Sequence, residues 1–208
     1  MDILNAQSEF TNQEFKGLIY KNGSVSLKEF NSCLFVKGSF LETVFKECHF
    51  YNCTFRKCDL SLVHFKDCSF SETRFEDSQV IGIDWTETTW ASSKFSLTKP
   101  VDFLNSVLNF STFMGMNLKQ INIIKCIARE VSFEDANLSG ANCSFTDFTN
   151  SRFLHTNLTG ADFTGAKNYT IAAHLNTLKK TRFSLPEAMS LLYSLDIILS
   201  EYRMDGED

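Results

Sequence analysis

No stretch of this chain approaches the roughly 20 consecutive apolar residues of a membrane span, and no run of lysine and arginine suggests a nucleic-acid footprint. The amino-terminal residues Met-Asp-Ile-Leu-Asn-Ala-Gln have neither a positive start nor an apolar core, so no secretory signal is expected. There is no glycine-rich phosphate loop, nucleophile elbow or kinase signature. The four histidines, His49, His64, His155 and His174, are scattered, and none has a His or Cys partner at metal-ligand spacing. Net charge is −5, with the carboxylates spread along the chain. These absences argue against an enzyme, a cofactor and direct contact with nucleic acid or membrane. They leave a cytoplasmic binding protein as the expectation.

What the chain does have is an apolar residue at every fifth position. The series runs from Phe10 through Phe15, Tyr20, Val25, Phe30, Phe35 and onward to Trp85, Trp90 and Phe95. It resumes at Phe103 and continues through Leu108, Phe113 and Leu118 to Phe163, and 18 of the 21 phenylalanines lie on it. A period of five is neither the 3.6 of a helix nor the 2 of a strand, so it must be read as a repeat. Two residues before most centres stands a small residue: Cys33, Gly38, Thr43, Cys48, Cys53, Cys58, Cys68, and later Ala136, Ala141, Thr146 and Ser151. One large and one small residue point inward and three polar ones point out. Such an edge cannot bury its apolar side chains alone, so edges must turn and stack, pairing backbone groups between coils about 4.8 Å apart. The pattern predicts a β-solenoid.

The unit is that of the pentapeptide-repeat family, which the stretches Ala136-Asn137-Leu138-Ser139-Gly140 and Ala161-Asp162-Phe163-Thr164-Gly165 closely resemble. The resemblance covers roughly residues 8 to 167. It implies an all-β fold, a right-handed quadrilateral β-helix of about eight coils with twenty residues in each. Spacing by twenty then assigns core ladders: Phe10, Phe30, Phe50, Phe70 and Trp90; Phe15, Phe35, Phe55, Phe75 and Phe95; Phe113, Phe133 and Phe153; Leu118, Leu138 and Leu158. Both tryptophans keep register and read as core. Six of the seven cysteines take the small inward site and Cys143 takes a centre, so they read as small buried residues with free thiols rather than metal ligands.

The spacing fails once, between Phe95 and Phe103, where three residues are in excess. Pro100 suits a loop there, and one is expected at 96–101, as a tolerated scar or as a contact loop with Lys99, Pro100 and Asp102. Outward Val107, Phe110 and Ile127 make a modest apolar patch. The repeat domain is taken as 1–168. Beyond it the chain reads as irregular to Phe183, with a basic cluster at Lys179, Lys180 and Arg182. Ser184-Leu185-Pro186-Glu187 then reads as a capping box. A short α-helix is predicted over 185–195, a strand at Asp196-Ile197-Ile198-Leu199, and a charged tail after it. Leu185, Ala188, Met189, Leu192, Leu195, Ile197, Ile198 and Leu199 need a surface to cover: the open end of the solenoid, or a second copy.

Within the family, the chain resembles the Qnr-type quinolone-resistance proteins. The resemblance rests on Gly82-Ile83-Asp84-Trp85, on the break at 96–101 and on the helix followed by Asp196-Ile197-Ile198-Leu199. It implies a dimeric rod that binds type II topoisomerase, by DNA mimicry or by modulating the drug–enzyme complex. The regular spacing before Phe95 leaves no room for the smaller loop of those proteins, and 96–102 is shorter than their larger one. From 10 to 168 the rod carries 16 basic and 17 acidic residues, a poor overall copy of duplex charge. One face gathers Lys37, Arg56, Lys57, Arg74 and Lys94. Another gathers Glu47, Asp67, Asp84 and Glu87 beside Lys46 and Lys66, and is the expected topoisomerase contact.

Overall fold

A computed structural model describes residues 4, 6–89, 99–195 and 197–198. The chain winds into a parallel, four-sided β-solenoid of about eight coils. Many five-residue edges contribute a strand of two to four residues whose centre points inward, as in Glu29–Asn31, Leu34–Val36 and Val44–Lys46, and others pair by single bridges. Each edge pairs in register with the one twenty residues on: Phe10 with Phe30, Phe15 with Phe35, Val25 with Phe45. We number the faces in chain order. The first is centred on Phe10, Phe30, Phe50 and Phe70, and the second on Phe15, Phe35, Phe55 and Phe75. The fourth carries Val25, Phe45 and Phe65. The third is joined by single bridges from Ile19 through Ser39, Asp59, Gln79, Val107 and Ile127 to Asp147. Its strands are short because the amide three residues after a centre turns back onto the centre's carbonyl, as Thr43 N does to Phe40 O at 2.9 Å. The chain leaves each corner through a residue of positive φ.

The interior is a set of ring columns. Phe35, Phe55 and Phe75 stack at 4.5 and 5.1 Å with planes within 9°, and neighbouring columns meet edge to face. Trp85 is fully buried, stacked between Phe65 and Phe113. Phe133 and Phe153 continue that column. Trp90 lies outside the described residues.

The small inward site does more than save space. A hydroxyl or thiol there donates to the carbonyl of a centre 23 residues earlier: Thr73 Oγ1 to Phe50 O at 3.1 Å, Ser78 Oγ to Phe55 O at 3.1 Å, Cys53 Sγ to Phe30 O at 3.2 Å. Cysteine, serine and threonine therefore tie successive coils, cysteine most weakly. All seven thiols are free and buried. Burial pushes Cys58 up to about 11 and Cys126 up to about 12.

Two expectations need correction. The first concerns the break. Phe75 pairs and stacks not with Phe95 but with Phe103, at 5.3 Å. The register steps by 28 residues, an excess of eight, and holds that offset at Gln79–Val107 and Asp84–Thr112. On either side of the step, Thr89 N–H bonds Cys68 O, and the Lys99 carbonyl accepts from Glu72 N. Residues 90–98, including 96–98 of the expected loop, lie outside the described residues. Val101 already belongs to the strand Val101–Leu104.

The second concerns the end of the repeat. Residues 169–183, read as irregular, build another coil: Ile171 pairs with Phe153, Thr177 with Asn157 and Phe183 with Phe163. The first of these steps is 18 rather than 20, which hides the coil from a count by fives. The helix that follows is a 3₁₀ helix, Glu187–Ser194. The capping box does not form, because the Ser184 hydroxyl accepts from Gly165 N at 2.9 Å instead. Leu191 packs on the core, and the helix lies over Thr170–Ile171 and Ala173–Leu175. Ser194 Oγ accepts from Ala173 N at 2.9 Å. Ile197 and Ile198 form no strand in the described residues, while Asp196 and Leu199 lie outside them.

Candidate functional site

With nearly all the centres and small residues among the described residues turned inward, function falls to the three outward columns of each face. Among the described residues no cluster of three or more His, Cys, Asp or Glu side chains could hold a metal ion. Nor is any helix there long and apolar enough to cross a membrane.

The solenoid lines up three of the four predicted carboxylates, with Asp84 in a separate column of the fourth face. Glu47, Asp67 and Glu87 form one column at the corner between the fourth and first faces: Glu47 N bonds Lys66 O, and Asp67 N bonds Glu87 O, each at 2.9 Å. They recur once per coil, about 4.8 Å apart. Glu87 ends a 3₁₀ turn, Trp85–Glu87, that is anchored by buried Trp85 and capped by Asp84. Asp84 Oδ1 accepts from Thr86 N and Thr86 Oγ1, at 2.9 and 2.6 Å. Two of the four charges have local partners: Glu47 meets Lys46 at 3.4 Å and Glu87 meets His64 at 3.3 Å. Asp67 is exposed. The column is a graded row of acceptors rather than a bare anionic stripe.

Lys99, Pro100 and Asp102 do not join it. They sit across the first face, where the chain re-enters the stack. The carbonyls of Lys99 and Pro100 accept from Glu72 N and Thr73 N at 2.8 and 3.2 Å. Asp102 lies 3.8 Å from Lys99 and accepts from Asn122 N at 2.9 Å. With Asn52, Glu72, Thr73, Arg74 and Val101, Lys99 and Asp102 line a cleft of about 350 Å³. On the second face Arg56 is bound to Glu76 at 2.8 Å, which reduces the basic cluster to Lys37, Lys57 and Arg74. Lys94 lies outside the described residues.

Of the residues expected at a self-association surface, Ala188 and Leu192 are half-buried against the last coil. Leu185, Met189, Leu195, Ile197 and Ile198 are exposed, Ile198 almost completely.

Sequence reasoning passed over two features. Leu62 and Ile81 extend the apolar patch of Val107, Phe110 and Ile127 along the third face. Leu62 stands two coils from Phe110 in the same column, across Gly82, and Ile81 stands one coil from Asn109, so the 28-residue step was needed to see them. The other is Asp147, an outward residue that is nonetheless only 6% exposed. Burial is the largest influence on its pKa and raises it. Hydrogen bonds from Thr149, Asn168 and Arg129 together outweigh burial and hold the carboxyl well below its ordinary range. The contacts are 2.6 Å to Thr149 Oγ1, 2.9 Å to Asn168 Nδ2 and 2.8 Å to Arg129 Nη2.

Comparison with known proteins gives the following. The family model described as a pentapeptide repeat region matches residues 28–103, and that of pentapeptide repeats (8 copies) matches 117–153 and 129–165. No curated protein matches significantly. Among solved structures, the chain is similar to full-length QnrB1, a plasmid-mediated fluoroquinolone resistance protein. Identity there is 18% and TM-score 0.49, over 88% of this chain and 100% of the other. It is also similar to Rfr23 from the cyanobacterium Cyanothece 51142, at 15% identity and TM-score 0.33, over 71% of this chain and 92% of the other. A third is HetL from Nostoc sp. Strain PCC 7120, involved in heterocyst differentiation regulation, at 15% identity and TM-score 0.27, over 85% and 89%.

Proposed function

Because the chain belongs to the pentapeptide-repeat family, we propose that it is a non-catalytic protein-binding rod in the cytoplasm. Its partner is a type II topoisomerase, DNA gyrase or topoisomerase IV, which it protects from quinolones or a gyrase-directed toxin. The observation that carries this reading is the acidic column of Glu47, Asp67 and Glu87, with Asp84 at the head of the turn that ends in Glu87. A rigid stack holds these acceptors in line, as a surface that otherwise receives a polyanion requires. The rod as a whole is nearly neutral, so the contact is confined to that corner.

A supercoiling assay with purified gyrase and ciprofloxacin tests the proposal. The chain restores supercoiling at micromolar concentration, and reversing Asp67, Asp84 and Glu87 to lysine abolishes the rescue. Absence of both rescue and binding at that concentration overturns it. The near-neutral rod favours a second reading, an interaction scaffold with an unrelated protein partner. Recovery of another protein without gyrase from the native host would support that one.

The proposal includes a twofold dimer through the exposed apolar residues of the carboxyl-terminal segment, Leu185, Met189, Leu195, Ile197 and Ile198, with Leu199. Sedimentation equilibrium returns twice the chain mass, and Met189→Asp shifts the protein to monomer. A monomeric wild type rejects the dimer.

A further inference from the structure

The outward positions of the third face are not uniformly polar. Leu62 and Phe110 occupy its corner column at φ 56 and 61, a left-handed conformation that a bulky side chain adopts only at a cost. They are 47 and 59% exposed, so burial does not offset that cost. Most other non-glycine residues at such corners are Asn, Asp, Glu or Lys, which suit water. Gly82 stands between the two in the column. A Cβ there would come within 2.7 Å of Leu62 Cδ2, so the missing side chain lets Leu62 lie along the rod toward Phe110. The bond from Gly82 N to Asn109 O sets these coils side by side. Ile81, Val107 and Ile127 complete the surface, the last two in bridged neighbouring coils.

Spacing and charge describe what fits. Val107 and Ile127 are one coil apart, about 4.8 Å, and Leu62 and Phe110 two coils, about 9.6 Å. Residues three to four and seven apart on an α-helix lie about 5 and 10.5 Å apart along its axis, so a helix laid along the rod matches both steps. Around the patch, Glu42, Asp59, Asp77 and Glu130 outnumber Lys57 and Lys125, and Arg129 is already bound to Asp147. We infer that the third face is a docking surface for a basic amphipathic helix of a partner protein. It is a different surface from the acidic corner, so its test does not depend on the topoisomerase reading.

The test uses the full chain and two fluorescent helical peptides of roughly 18 residues with the same apolar face, one rich in lysine and the other in glutamate. The lysine-rich peptide binds by anisotropy, more weakly as salt is raised. Phe110→Asn and Leu62→Asn each weaken it at least tenfold, and the glutamate-rich peptide does not bind. Asparagine accepts the left-handed corner, so both variants should melt as the wild type does. If either misfolds, Ile127→Ser reads the same surface. Unchanged binding in the folded variants overturns the inference, as does equal binding of the acidic peptide. Self-association of the wild type that Phe110→Asn abolishes would also overturn it, by assigning the face to a second copy.

Discussion

Replacing Phe55 by alanine lowers the unfolding free energy by about 3–5 kcal/mol. Phe55 is fully buried and sits mid-column, stacked on Phe35 at 4.5 Å and on Phe75 at 5.1 Å. Phe40 and Phe50 meet it edge-on at 6.2 and 5.7 Å. Truncation opens a gap that the flanking rings cannot fill, because each is fixed by its own column and by the backbone ladder. The loss is both transfer energy and a retained cavity. For a domain of this size each kcal/mol moves the midpoint by about 2–4 °C, so a fall on the order of 10 °C is expected in thermal denaturation. The internal comparison is Phe145→Asn. Phe145 is exposed at a left-handed corner, and its removal should change stability little. A Phe55→Ala protein that melts with the wild type would contradict the inward assignment of the whole second-face column.

Asp147→Ala costs about 2–3 kcal/mol, from charge-assisted hydrogen bonds lost in a nearly buried site. Thr149 N–H and Asn168 lose an acceptor, and Arg129 loses its partner. The pH dependence separates this from simple loss of packing. The folded-state pKa lies below the unfolded one, so the stabilisation is complete above about pH 4. It is lost as pH falls through the folded value. Melting curves between pH 7 and 2 should show the gap between wild type and variant constant down to about pH 4 and closing below it. A gap that stays open at the acid end would mean that ionisation of Asp147 does not contribute.

The fold was legible because each five-residue edge must bury one centre and one small residue, whatever its other three residues are. Phe35, Phe55, Phe75, Phe133 and Phe153 are all inward for that reason. The 28-residue step was not anticipated because Phe95 also keeps the count of five, whereas the partner of Phe75 is Phe103. The last coil was missed because Ile171 arrives two residues early. Spacing alone assigned the carboxylates Glu47, Asp67, Asp84 and Glu87 to one face, and three of them share a column. Their pairing with Lys46 and His64 and the capping role of Asp84 depend on rotamers, which the repeat does not determine. Asp147 shows the same limit: its outward position is legible, but its burial comes from Arg129 and Asn168, which belong to neighbouring edges.

Across the 28-residue step, Phe75 meets Phe103 at 18° and Trp85 meets Phe113 at 10°, between the 2° of Phe113–Phe133 and the 20° of Phe45–Phe65 twenty residues apart. The stack thus registers coils and is indifferent to how much chain lies between them. A step of 28 residues and a step of 20 leave the ladders above and below in the same place.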